Sequence, residues 1–597
     1  MIRADLILPI IRFGILMCLA ALALFLLERR WKVLSRFAAE DGSALNLGVA
    51  RVVIMATMIA QTQLRYSLTF ARLDPTLLWP PKGWTHLVPL VPLDPTVITV
   101  AYYAFLVAAV MAVVGWFGRP ACAIATALAF YVQTIPQLYG KVNHSTMHLI
   151  IFGVILACSP SSDALSIDAI RAAIRGADRG ELRRADRGAA YGFALKAMML
   201  VVGFAYFFPG AWKVSIGWDG WFSGTNLSRL ILGATYGHQP SAFQQWMLGQ
   251  PLLLFGGTIA TIVFELGFLF AILFPRVRPF AALAGLGFHN AIGLLMSIPF
   301  GSLQICYVIF FDWQRLLAYR KVSILTLRYD AHCVVCRRAI GMLTSFDWLD
   351  LLKPVPNPGA IDFQAEDPDN NVYTGYDGYI QIARRVPVLW IVSPLMDVGV
   401  VRSVGERIYH RVATSRTCSI LDKTTPRGEY VVPAPVGTPL RAAATVLLAW
   451  MFILGSTHVI ATWPIACFPT FDKPRGPTVA EIAVEATDVE GHRYVWMPRE
   501  DDVFNRQLSP ERWSGQLEIL LGDRPFPEAR ARALVAMWQR EHGLPPLSSA
   551  RFFIDERLLA MNPDSMVRIQ RTPIGMLSFD NTSRTGRVLS SGPTPAP

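Results

Sequence analysis

Charge is scarce in this chain. Of 597 residues only 16% are Asp, Glu, Lys or Arg, while 53% are hydrophobic and the mean hydropathy is +0.39. That balance excludes a purely soluble protein of this length. Cysteine is scarce too: there are eight, without the spacing of a secreted disulfide framework. Cys18, Cys122, Cys158 and Cys306 lie in apolar runs and read as small hydrophobes. Cys418 and Cys467 are isolated, so only Cys333 and Cys336 form a pattern. There is no His-Glu-x-x-His, and no second ligand pair accompanies the two cysteines, so no metal is expected. No small-residue cleavage site follows the first apolar run, Phe13 to Leu27; Arg29, Arg30, Lys32 and Arg36 come instead. That run is expected to stay as a first span ending in the cytoplasm. The net charge of +12, with a pI near 9.4, belongs first to cytoplasmic loops, so nucleic acid is not an expected partner.

Long hydrophobic runs are plentiful. Nine are expected as spans near 9–27, 46–66, 97–117, 120–138, 146–160, 190–209, 251–274, 279–297 and 302–316, with a further one near 440–463. Several approach the minimum of about 17 residues, so tilted, short or re-entrant segments are allowed. Threading them puts Arg171, Arg175, Arg179, Arg183, Arg184, Arg187, Arg276, Arg278, Arg315, Arg320 and Lys321 on the cytoplasmic side. The other side receives little more than Arg72, Lys82, Lys141, Lys213 and Arg229, as the positive-inside rule requires. The Arg-rich stretch 161–189 reads as a surface helix near anionic headgroups or as a solvated loop. Leu78-Trp79-Pro80-Pro81-Lys82-Gly83-Trp84 reads as an interfacial loop.

The expected architecture is a polytopic α-helical membrane protein of about nine to ten spans, with soluble α/β and α+β parts. A transmembrane bundle occupies 1–316, a cytoplasmic domain 322–437, the extra helix 440–463, a small extracytoplasmic α+β region 464–580, and a disordered tail 581–597. In the cytoplasmic part a strand (Val322 to Leu327) leads into Asp330-Ala331-His332-Cys333-Val334-Val335-Cys336-Arg337 and then a helical pattern to Trp348. A strand feeding a Cys-x-x-Cys at a helix start is the thioredoxin-type arrangement, in which the helix N-terminus stabilises a thiolate on the first cysteine. Two cysteines kept for packing are the alternative. Strands at Thr478–Ala486, His492–Trp496 and Ala550–Ile554 and a helix at Pro527–His542 are expected farther on, without any motif or repeat.

Inside the bundle a few ionisable groups stand out. Lys213 follows the aromatic run Tyr206-Phe207-Phe208-Pro209-Gly210 at the edge of a span. A desolvated lysine can act as a general base; a lysine snorkelling beside an aromatic belt of Trp212, Trp218 and Trp221 is the alternative. His144 follows Asn143, and His148 lies one helical turn on, on the same face. Glu265 and His289 lie deep in the seventh and eighth spans. A lysine, histidines and a carboxylate in one cavity would make a base with a relay.

Asn143-His144-Ser145, then Tyr206-Phe207-x-x-Gly210-x-x-Lys213 with Trp218, then Phe288-His289-Asn290 resemble the vitamin K-dependent gamma-glutamyl carboxylase family and its bacterial HTTM-domain relatives over about the first 316 residues. The resemblance implies a lysine at 213 that deprotonates a reduced vitamin K-like quinol. It implies a histidine at 144 assisting at a glutamate carbanion, and an exported peptide or protein as substrate. The region that would bind a propeptide-bearing substrate is not recognisable. A second resemblance, to DCC-type thiol–disulfide oxidoreductase-like proteins, covers about 322–417. Tyr329-Asp330-x-x-Cys333-x-x-Cys336-Arg337-Arg338 and Arg407-x-Tyr409-x-x-Val412-Ala413-x-x-Arg416 carry it. It implies Cys333 as attacking and Cys336 as resolving thiol, with Asp330, His332 and Arg337 around them. Ala331 departs from the usual glycine, and His332 beside Cys333 would tune the thiol. Together the resemblances point to quinone-linked redox chemistry joined to dithiol exchange in a bacterial inner membrane, with lipid and quinone as partners. A glutamate carboxylase relative and a non-enzymatic scaffold or transporter-like bundle are the rival readings.

Overall fold

The structure is a computed structural model describing residues 4–579, apart from 141, 185, 235–238, 299, 358–361, 415–427, 432–433, 460–461, 467–472, 497–524 and 561–566. Lys141, Arg416, Cys418, Cys467 and the tail expected at 581–597 lie outside the described residues.

Among the described residues eight helices are long and apolar enough to cross a membrane. Seven belong to the first half of the chain. They are α1 (Ala4–Trp31), α2 (Ala44–Gln61), α3 (Pro95–Val114), α4 (Gly118–Thr134) and, after two shorter helices, α5 (Met147–Cys158) and α6 (Ile167–Asp178), three more: α7 (Ala189–Trp221), α8 (Pro251–Ala271) and α9 (Arg278–Met296). Their starts are written locally: before α3, Asp94 accepts hydrogen bonds from the Thr96 and Val97 amides and Pro95 takes the first helical position. Gly115 at φ 66° ends the same helix and lets the chain turn straight into α4.

Two expected spans are shorter than full crossings. α5 has 12 residues, about 18 Å at 1.5 Å per residue, against roughly 30 Å of hydrocarbon. The ninth is α10 (Gly301–Ile305) continued by a 3-10 turn from Cys306 to Phe310. Both are largely buried inside the bundle, and their starting ends meet where the Ser302 hydroxyl donates to the Ser145 carbonyl at 2.7 Å.

Three buried cations tie the opposite end. The Arg51 guanidinium, fully buried, donates to the carbonyls of Ser161 (2.5 Å), Ala164 (3.2 Å), Val113 (3.4 Å) and Leu165. Lys196 Nζ donates to the carbonyls of Phe37, Ala38 and Glu40 at 2.7–2.8 Å. Arg278 donates to the Ile272 carbonyl and takes the Glu40 carboxylate two-pronged at 2.9 and 2.6 Å.

The Arg-rich stretch is not a solvated loop but a helix and a strand on which the soluble part docks. β1 (Glu181–Arg184) follows α6, and both lie on the soluble part of the chain. There β2 (Leu325–Tyr329), α11 (Val334–Ser345), β3 (Leu352–Pro356), β4 (Gln364–Glu366) and β5 (Val372–Thr374) form a sheet of order β3-β2-β4-β5. β2 and β3 are parallel; β4 is antiparallel to β2 and to β5. α12 (Gly399–Thr414) and β6 (Gly428–Val431) follow, and β6 pairs in parallel with β1. α6 packs along α11: Gly341 faces Ala173 and Ala177, Arg338 holds Asp178 at 2.7 and 3.1 Å, and Arg184 pairs with Asp350. In this part burial pushes the Asp347 carboxyl above its ordinary value, although it accepts the Leu351 and Leu352 amides.

The extra span is α13 (Thr438–Ser456), packed on α7 and α5. Beyond it β7 (Thr478–Asp488), β8 (Arg493–Trp496), α14 (Glu528–His542), β9 (Leu547–Leu558) and β10 (Arg568–Ser578) form an antiparallel sheet of order β8-β7-β9-β10, with Trp538 of the helix stacked on Trp496 at 5.1 Å. β10 was not expected from the sequence. The Trp-rich loop seats this part: Trp84 Nε1 donates to the Trp463 carbonyl at 2.7 Å, and Arg530 lies 4.2 Å over Trp79.

Asp555, fully buried in β9, accepts from Arg571 at 2.6 and 2.8 Å and from Arg568 at 3.4 Å. Burial pushes its carboxyl up, but the two guanidiniums outweigh that and hold it below the ordinary value. A depressed folded value means stability that is present above about pH 4 and lost as pH falls through the folded value. Asp555→Asn is therefore expected to cost the sheet about 3 kcal/mol at neutral pH. Hydrogen exchange over 478–488 and 547–558 would report it, and the gap between variant and parent should narrow below about pH 4.

Candidate functional site

The long helix α7 carries the lysine. Gly210, one turn before Lys213, sits where a Cβ would lie 2.9 Å from the Glu265 Cβ, so the missing side chain lets α7 and α8 touch. That approach brings Lys213 Nζ onto Glu265 Oε1 as a buried ion pair, the two residues being 2% and 5% exposed. Trp221, one short kink later at Gly217 (φ −115°, ψ 24°), covers the amine with its ring centre 5.2 Å away. Glu265 Oε2 is buried and has no hydrogen-bond partner among the described residues.

Beside the pair runs a chain of hydroxyls and an imidazole. The Tyr206 hydroxyl lies 2.5 Å from His289 Nε2 and is hydrogen-bonded to the Tyr307 hydroxyl. Tyr206 is also within electrostatic reach of Glu265, and His289 of His148. Phe264 and Phe268 pack the Tyr206 ring at 5.0 and 4.8 Å, and Phe300 covers His289 at 4.6 Å. His289 Nδ1 and His148 Nε2 are buried without partners among the described residues.

His144 and His148 do not share one helical face. α5 starts at Met147, so half-buried His144 sits in the turn before it, while His148 is buried within it. Asn143 orders that turn: its amide donates to Gln137 Oε1 at 2.8 Å, and its Oδ1 accepts the Ser145 amide at 2.9 Å. The Ser145–Ser302 bond then fixes the turn to the helix that carries Tyr307.

Tyr307 was not singled out from the sequence. Its only signal is a phenol inside the apolar run Cys306-Tyr307-Val308-Ile309-Phe310, which must find a polar partner once buried.

The cysteine pair stands apart. Cys333 caps α11 and is only 2% exposed; Cys336 is half-buried, and the two thiols are not joined. Asp330 accepts the His332 amide at 2.9 Å, and the His332 side chain is exposed. Arg337 is buried and donates to the carbonyls of Ala331 (2.8 Å) and Ala177 (3.1 Å), so it braces the loop against α6. The soluble part joins the bundle just before α7 begins, whereas Lys213 lies 24 residues farther on, about 36 Å along the helix. Among the described residues no three His, Cys, Asp or Glu side chains are grouped as metal ligands.

Among the described residues, eight long apolar helices around buried polar groups suggest a multi-pass helical membrane protein. Residues 39–314, a little under half of the chain, match the HTTM domain family, which is associated with vitamin K-dependent carboxylase-like membrane proteins. The match takes in Tyr206, Lys213, Glu265, His289 and Tyr307 and ends before Cys333. No curated protein and no solved structure matches the chain.

Proposed function

We propose that the bundle is a membrane enzyme that takes a proton from the hydroxyl of a quinol or a similarly lipophilic acid. Its base is the Lys213–Glu265 pair rather than Lys213 alone, because the two groups meet as one buried ion pair. The observation that carries this reading is Glu265 Oε2. A buried carboxylate oxygen with no donor is costly, so it marks a place where a hydroxyl would be welcome.

The surroundings fit a quinol: aromatic walls for a flat ring, an acceptor for its hydroxyl and a hydrophobic approach. When bound, a quinol would supply the redox chemistry. The chain's own residues accept the proton at the pair, hand it on through Tyr206 to His289 with Tyr307 steadying the Tyr206 hydroxyl, and keep water out with Trp221. The Asn143–Ser145 turn beside this relay supports the finer reading of a carboxylase relative acting on an exported peptide.

The dithiol module supports a second reading. A parallel β2–β3 pair around α11, extended by an antiparallel hairpin with Cys333 at the helix start, is what a thioredoxin-like, DCC-type exchange domain needs. Cys333, at the helix start, would be the attacking thiol and half-buried Cys336 the resolving one. In this reading the cysteines and the Lys213 site do not meet, and a quinone moving in the bilayer would be the carrier.

The test is turnover of a short-chain naphthoquinol by the full chain in nanodiscs, followed by oxygen uptake and by bicarbonate incorporation into a glutamyl peptide. Glu265→Gln should slow turnover at least about 100-fold, the usual weight of a general base. An unchanged rate, or a parent protein that neither binds nor turns over the quinol, would leave a scaffold or transporter-like bundle as the reading.

A further inference from the structure

The soluble part carries an apolar face that is exposed among the described residues. α12 is spoken for on one side only. There Gly405 lies against the Tyr376 ring, the Tyr409 hydroxyl donates to Asp362 at 3.1 Å, and Arg402 pairs with Asp377. On the other side Val400, Val404, Ile408 and Val412 repeat at helical spacing and are exposed, Val400 by 76%. The stripe continues through Leu395 and Ile391, the latter 85% exposed. Apolar patches of this extent on a folded domain mark a contact surface.

We propose that this face lies on the anionic headgroup surface of the bilayer that holds the bundle. Three observations choose lipid over another protein. Arg407 and Arg411, both exposed, sit three residues after Val404 and Ile408 and edge the stripe with positive charge, the pattern of an interfacial amphipathic helix. Arg320 lies 4.6 Å over the Trp390 ring, which ties the start of the stripe to the chain just as it leaves the bundle after Phe310. From the other end of the soluble part the chain returns to a membrane-length helix at Thr438. The module that carries the apolar face is thus joined to apolar helices by the chain that precedes it and the chain that follows it.

The experiment uses the full chain in nanodiscs containing a photoactivatable phosphatidylglycerol, with labelled peptides mapped by mass spectrometry. Helix α1, which is largely unburied, serves as the positive reference, and the exposed Asp367–Asn371 turn as the negative one. Peptides from 391–412 should label to within a few-fold of α1. Val404→Asp with Ile408→Asp should cut that labelling at least five-fold and leave α1 unchanged. Arg407→Gln with Arg411→Gln should cut it in anionic but not in zwitterionic nanodiscs. Labelling no greater than that of the 367–371 turn would overturn the proposal. So would a stable dimer by native mass spectrometry that dissociates on Val404→Asp, since the stripe would then be covered by a second copy.

Discussion

Lys213→Met alone is expected to cost the bundle about 3–5 kcal/mol, Glu265→Leu alone about as much, and the two together far less than either. Removing one partner leaves a bare charge in a site that is almost fully buried, with Trp221 on one side and the Gly210 contact on the other. Removing both leaves apolar groups of similar volume among apolar neighbours. Unfolding in mixed micelles across the four proteins of the cycle would measure the coupling. A snorkelling lysine would instead give a coupling of about 1 kcal/mol or less. The double variant has a further use. It should be folded and inactive in the quinol assay, which separates the loss of the base from the loss of the fold.

Arg51→Met should be nearly as damaging, by about 3–5 kcal/mol, although it touches no reacting group. Its guanidinium holds carbonyls from the 159–166 loop and from the end of α3. Without it those carbonyls are buried with no donor, and methionine offers none. Because Ser166 caps α6, the damage should spread to the seat of the soluble part. Limited proteolysis would show cleavage in 159–189 appearing before cleavage elsewhere, and Arg51→Lys should restore part of the protection by keeping a cation there.

Hydropathy made most of the bundle legible, because a run of twenty apolar residues has few other uses. It placed the starts of α5 and α10 within a residue but overran their ends, since an apolar run does not say how much of it is helix: α5 stops at Cys158, and the chain past Ile305 tightens into a 3-10 turn. Lys213 and Glu265 were visible singly, as charges where charge is expensive. Their sharing of one site was expected only in outline, because the contact depends on Gly210 letting two helices meet across 52 residues of sequence. The amphipathic segment at 161–189 was visible as a face but not as a partner. Its small residues, Ala173 and Ala177, suit a close helix contact, and α11 with Gly341 supplies it. Strands β7, β8 and β9 and the helix α14 followed from local pattern. β10 did not, because its exposed edge alternates too weakly.

The Trp212 indole beside the lysine donates to the carbonyl of Gly455, at 2.7 Å, across 243 residues of sequence. At the usual pace of translation those residues take roughly 12 to 50 s to leave the ribosome. Until then the Trp212 indole lacks its acceptor, and α7 waits for its contact with α13. A nascent chain truncated before Gly455 would present α7 with an open seam where α13 belongs.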